Sequence, residues 1–179
     1  MQLMLYAAFL GTIGSIVGHS YIAISHKNGQ RLRSLSELAA TDSHLLQLFR
    51  FTAFTNSTLL AITVYGFIAP RNDYGLAQSI AWSIEYLCGI LMLIFPARGS
   101  SLTFHNVSAI SMAVGMYLLC FLFLPVLDGI FHVVLWGCAC AMTAFGAATF
   151  LDDARYMLYE LCFIFTSHIT ICVAALGML

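Results

Sequence analysis

The chain has 179 residues, of which 61% are hydrophobic and only 8% charged, where a soluble domain carries about a quarter charged. That composition excludes a soluble globular domain, a disordered chain and a small disulfide scaffold. With 7 Lys and Arg against 8 Asp and Glu, and a formal net charge of -1, no basic stripe exists to meet phosphates, so nucleic acid is excluded as a partner.

What remains is an all-α polytopic membrane protein whose partner is the lipid bilayer. A bilayer core takes about 20 mostly apolar residues per helix, and six runs of that length follow one another at 3–25, 47–69, 77–96, 107–126, 130–150 and 156–178. The first has no basic leader and no small-residue cleavage pattern, so it is expected as a retained helix. Within it Gly14-Ser15-Ile16-Val17-Gly18 is a small-xxx-small motif, preceded by Gly11. Such a stripe permits close helix crossing, either inside the bundle or, as the alternative, in a homodimer or larger membrane complex through Gly14 and Gly18.

The one sizeable connection, 27–46, carries Ser34-Leu35-Ser36-Glu37, an S-x-x-E capping box. Leu32, Leu35, Leu38 and Ala39 recur at helical spacing beside Arg31 and Arg33. This predicts a short interfacial helix against the cytoplasmic surface, read either as a linker or as a lid over a cytoplasm-facing cavity. Thr41-Asp42-Ser43 is a further start signal, placing the onset of the second helix some residues before the bilayer.

Pro70, Pro96 and Pro125 mark three span ends, and Arg71-Asn72-Asp73-Tyr74-Gly75, Asp128-Gly129 and Asp152-Asp153-Ala154-Arg155 mark further breaks. Connections this short force neighbouring spans antiparallel, so 1–179 is expected as a single up-and-down bundle domain. The fifth run is small along Gly137, Ala141, Ala144, Ala147 and Ala148, which suits the centre of a bundle. Lys27, Arg31, Arg33, Arg50, Arg98 and Arg155 fall on one side and Arg71 on the other. By the positive-inside rule the first side is cytoplasmic and both termini lie outside.

All six cysteines lie in predicted spans and read as packing residues. Cys138 and Cys140 are about 200° apart on a helix and do not share a metal. The depths of His19, His105, His132 and His168 do not match as haem ligands, and no H-E-x-x-H or H-x-x-x-H pattern is present. A site drawing His19, His105 and loop carboxylates from separate helices has no spacing signature. No metal is assigned, and the cofactor is left open. Neither a G-x-S-x-G elbow nor a phosphate-binding glycine loop occurs.

The stretch Arg33-Ser34-Leu35-Ser36-Glu37-Leu38-Ala39-Ala40-Thr41 leads into the second span, and Gly89-Ile90-Leu91-Met92 leads to Phe95-Pro96. His105 opens the fourth span, and Tyr159-Glu160 lies in the sixth. In that order these pieces resemble the serine-glutamate-leucine signature of a bacterial membrane-protein family catalogued as domain of unknown function nine-nine-eight. The sixth span departs from it, because Leu161 follows Glu160 where the family commonly has arginine; no charge pair is carried over there. The resemblance implies a six-helix bundle, multi-pass in the bacterial inner (plasma) membrane, and implies no reaction.

Ionisable residues in hydrocarbon are costly and normally face a bundle interior or a wet cavity. Glu85, flanked by Trp82 and Tyr86, and His168 are both near the middle of their spans. A contact between them would be a buried structural pair, a proton path or part of a ligand site. A second polar layer, toward the cytoplasm, comprises His19, Asn56, Ser57, His105, Asn106 and Glu160, with Glu37 and His44 nearby. Arg98 and Arg50 are available there to anchor an anion.

Three functions follow. The first is a bundle that binds a ligand or partner through a polar cavity on the cytoplasmic side. The second is a membrane enzyme acting on a lipid or isoprenoid headgroup, with Glu37, His105 and His19 as candidate catalytic groups. The third is a proton-linked small transporter using Glu85 and His168, along a ligand or proton pathway with Glu160, Asn56 and Arg98.

Overall fold

The computed structural model describes residues 2–25 and 34–179. Lys27, Arg31, Leu32 and Arg33, which entered the charge asymmetry and the reading of the loop, lie outside the described residues. Among the described residues seven α-helices follow in order: α1 (Gln2–Ile24), α2 (Leu35–Ala39), α3 (Ser43–Thr63), α4 (Gly75–Ile94), α5 (Leu102–Phe123), α6 (Gly129–Leu151) and α7 (Tyr156–Gly177). All but the short α2 are long and apolar enough to cross a bilayer. The chain is therefore a multi-pass membrane protein, an all-α bundle of six spans.

Local chemistry accounts for the ends. Asp42 caps α3, its side chain accepting from the N–H groups of His44 and Leu45, so the helix starts four residues before the apolar run, as the Thr41-Asp42-Ser43 signal predicts. At the other end Pro70 has no N–H to give, and its ring crowds the preceding turn. There the chain widens into a π-turn over Val64–Ile68 before leaving the helix at Arg71. The turn to α4 closes by Asn72 Oδ1 accepting from Tyr74 N–H at 2.9 Å. Gly75 abuts the Ala69 carbonyl so closely that no side chain fits there.

In lipid the outside of a bundle is as apolar as the inside, so helices are held by close packing and polar contacts rather than by a hydrophobic drive. The glycines of α1 show this. A Cβ at Gly14 would fall 2.5 Å from Asn56 Oδ1, one at Gly11 would fall 3.1 Å from the Asn56 carbonyl, and one at Gly18 would collide with Thr52. The Gly11, Gly14 and Gly18 stripe is thus seated against α3 of the same chain. Gly115 does the same for α4 and α5, where a Cβ would lie 2.9 Å from Glu85 N. Between α1 and α7, Thr12 Oγ1 donates to the His168 carbonyl at 3.3 Å and contacts Cys172 Sγ at 3.2 Å.

The core has two apolar ends. One, centred on Trp82 with Leu60, Phe67, Leu119, Phe123 and Ile171, fills the half of the bundle nearest the α3–α4 turn. The other gathers Ile22, Leu35, Leu38, Phe49, Met92 and Leu161 at the end that carries α2.

Two expectations are corrected. The loop helix forms, with Ser34 at its N-cap, but it does not lie across the surface: Leu35 (1% exposed), Leu38 (2%) and Ala39 (0%) are sunk among the ends of the spans. Its five residues supply three apolar side chains to one buried cluster, and a bundle end left open would expose those same neighbours. The small stripe of the fifth span does not mark the bundle centre either. Gly137, Ala144 and Ala147 are exposed on a peripheral α6, because in a bilayer small size fits a lipid-facing surface as well as a core. Cys138 is buried and Cys140 exposed on α6.

Candidate functional site

The polar residues singled out in the sequence fall into two groups. The first fastens α2. Glu160, one turn into α7, accepts from the Leu35 N–H at 2.7 Å, satisfying one of the backbone donors that a helix start leaves open. His105, one turn into α5 and 3% exposed, joins Ser36 Oγ at 2.8 Å through Nε2 and the Phe95 carbonyl at 2.8 Å through Nδ1. A carbonyl only accepts, so Nδ1 carries the hydrogen; in the neutral ring Nε2 then accepts from the Ser36 hydroxyl. Ser36 Oγ in turn meets Ser34 Oγ at 3.0 Å, and Ser34 Oγ accepts from the Glu37 N–H at 3.1 Å. One directed chain of hydrogen bonds therefore runs from the start of α2 to the end of α4 by way of His105. Together with Glu160 it locks α2 to α4, α5 and α7.

The second group lies behind α2, between the two apolar ends. Leu60, Trp82 and Ile171 belong to one buried cluster of the core. One helical turn toward α2 from each come Asn56, Glu85 and His168, since residues three and four apart stack on one helix face. All three are 5% exposed or less. Glu85 has its backbone against Gly115 of α5. His168 is held at its carbonyl by Thr12. His19 bonds Ser15 Oγ at 2.9 Å through Nδ1 and packs its ring 5.8 Å from Phe49.

Four buried side-chain atoms of these residues have no hydrogen-bond partner: Asn56 Nδ2, Trp82 Nε1, Glu85 Oε2 and His168 Nδ1. Buried polar atoms are normally paired, and each exception asks for an occupant. The contact expected between Glu85 and His168 is not made. No hydrogen bond or ion pair joins them, and the atoms named above are left open on both. Depth along a helix follows from counting residues, whereas the direction a side chain faces depends on the rotation of each helix in the bundle.

The remaining candidates are placed as follows. Glu37 is half-buried on α2, and Arg98 is exposed in the connection before α5. Among the described residues no three His, Cys, Asp or Glu side chains stand close enough to share a metal ion. Glu37, His105 and His19 accordingly form no such group. His132 serves the far end, its Nδ1 donating to the Leu124 and Leu127 carbonyls and its Nε2 accepting from Trp136.

Three participants escape sequence reading. Ser36 is the partner of His105 across 69 positions, and no local pattern links them. Trp82 was visible only as a neighbour of Glu85, although its indole N–H is one of the open donors. Gln78, fully buried, takes a bond from Asn72 and gives one to the Leu122 carbonyl at 3.1 Å; a glutamine in the first turn of an apolar run was its only signal.

A cavity of about 30 Å³ lies between α3, α4 and α5, lined by Ala53, Ser57, Tyr86, Gly89, Met92 and Met112 among others. That is room for about one water molecule. Its walls include Ser57 and Tyr86, the chain neighbours of Asn56 and Glu85. No protein-family model, no curated protein and no solved structure matches the chain.

Proposed function

We propose that this chain is a ligand-binding bundle of the bacterial inner membrane, holding a small polar or amphipathic molecule among the buried side chains of Asn56, Trp82, Glu85 and His168. The ligand reaches them from the cytoplasmic end, where α2 closes the bundle. The observation that carries the reading is the set of four buried polar atoms without partners, because each costs about 1–3 kcal/mol unless an occupant satisfies it. Two N–H donors, a carboxyl group and an imidazole suit a ligand that both accepts and donates hydrogen bonds. The bacterial inner membrane is supported by the resemblance of Arg33–Thr41, Gly89–Met92 with Phe95-Pro96, His105 and Tyr159-Glu160 to the nine-nine-eight family. The orientation is supported by the Lys and Arg asymmetry of the connections.

The test is mass spectrometry, metal analysis and a visible spectrum on protein purified from its own membrane in mild detergent. A stoichiometric small molecule is expected in the wild-type protein and is expected to be lost in Asn56→Leu, with both proteins eluting as a single folded species. Wild-type protein that carries nothing, or an occupant indifferent to Asn56→Leu, overturns the reading.

A second reading is favoured by the same open carboxyl oxygen: proton-linked transport through Glu85 and His168. Replacing Glu85 by Gln removes the titrating group and keeps the shape. It is expected to abolish pH-dependent uptake into vesicles while the protein stays folded, and undiminished uptake overturns it.

A further inference from the structure

A different feature lies on the outer side of the bundle. At the α2 end of the α3–α4 seam, Arg50, Phe54, Ile90, Leu93 and Ile94 line an open groove of about 480 Å³. Four of the five are apolar, and Phe54 and Ile94 are at least half exposed to what surrounds the bundle. Arg50 Nε donates to the Leu93 carbonyl at 2.9 Å, one of the last-turn carbonyls that a helix end leaves without an internal partner.

That bond fixes the guanidinium at the mouth of the groove. Among the described residues its Nη groups are engaged by no hydrogen bond and no carboxylate pairs with Arg50. The depth is informative as well: α4 ends at Ile94, so Arg50 stands level with the last turn of that span, where arginine carries its charge at the boundary between acyl chains and headgroups.

We propose that this groove seats one anionic phospholipid. Its phosphate is held by the Nη fork of Arg50, and one acyl chain lies along Phe54, Ile90, Leu93 and Ile94. The match is electrostatic and geometric: an unpaired guanidinium prefers a phosphate that carries net negative charge and engages it with two parallel N–H donors, while the apolar channel below it suits a methylene chain. A zwitterionic headgroup brings its own ammonium to the same place and gains less. Phe54, Ile90 and Leu93 also line the small cavity between α3, α4 and α5, so the seated chain covers that stretch of the seam. This site does not depend on the interior ligand.

The experiment is native mass spectrometry on the detergent-purified chain after delipidation and incubation with equal amounts of phosphatidylglycerol and phosphatidylcholine of the same acyl length. The wild type is expected to retain phosphatidylglycerol over phosphatidylcholine by about tenfold, one good charge-assisted contact in affinity. Arg50→Gln is expected to bring that ratio close to one, and Arg50→Lys to leave an intermediate value. Arg71→Gln, which removes a cation at the opposite end, is expected to match the wild type.

Ile90→Trp is expected to lose bound lipid of both kinds by filling the groove while Arg50 stays, which keeps the test decisive if Arg50→Gln does not fold. Equal retention of the two lipids by the wild type, or a preference that survives both Arg50→Gln and Ile90→Trp, overturns the proposal. So does displacement of the lipid by glycerol phosphate at equal concentration, which would make the site one for a free phosphate.

Discussion

Gly115 gives single-residue chemistry direct leverage on the α4–α5 contact. A Cβ there meets Glu85 N at 2.9 Å and the Ala81 carbonyl at 3.0 Å, and backbone atoms of a helix do not step aside as a flexible side chain does. Gly115→Ala is therefore expected to push α4 from α5 and lower stability by about 1–3 kcal/mol, the usual range for an overpacked core. At Gly137 a Cβ meets nothing within 4 Å, so Gly137→Ala is expected to stay within about 0.5 kcal/mol of the wild type. Thermal melts of both variants in one detergent check the pair, and equal melting temperatures would contradict the packing account. At this scale the sequence was informative about which residues are costly in a membrane and silent about whom they meet. Glu85 and His168 were both identified and both are buried, yet they do not bond. Each residue of a helix advances the side chain by about 100°, and nothing local sets where that rotation begins.

Among the elements, α2 is the one whose stability is separable from the rest. It is too short to hold itself together in isolation, so its order depends on three buried apolar side chains and on the bonds to Glu160 and His105. Glu160→Ala removes the acceptor of the Leu35 N–H and is expected to speed amide hydrogen exchange across Leu35–Ala40 by about 5- to 150-fold, the equivalent of about 1–3 kcal/mol. Exchange in α5 is expected to stay unchanged. His105→Ala is expected to act in the same direction, because it breaks the Ser36 and Phe95 bonds together. Unchanged α2 exchange in both variants would mean that the apolar contacts alone seat this helix. The existence of α2 was legible, since the capping box is a four-residue pattern and Ser34 does accept from the Glu37 N–H. Its depth was not, since both of its polar fasteners come from helices more than 60 positions away.

For the molecule as a whole, the six spans were readable because length and hydropathy alone define a crossing, and caps such as Asp42 and breakers such as Pro70 are local. Which face of each span looks inward was not readable. A helix in lipid is apolar all round, so the one-sided pattern that betrays the buried face of a soluble helix is missing; the exposed small stripe of α6 is the example. The orientation drawn from Lys and Arg is checked by single cysteines in two exposed connections. Asp73→Cys is expected to react with a membrane-impermeant maleimide on intact cells, and Ser100→Cys only after permeabilisation. The reverse pattern would invert the topology.

The fastening of α2 also orders events in time. Leu35 leaves the ribosome long before Glu160, its partner 125 positions downstream, and α1 likewise waits for α7 to supply the His168 carbonyl to Thr12. Until the last span is inserted α2 has its apolar neighbours on α1, α3 and α4 and its His105 bond but not the Glu160 acceptor or the contact with Leu161. Full fastening of α2 is thus a late step of biogenesis, completed only when α7 brings Glu160 to the Leu35 N–H.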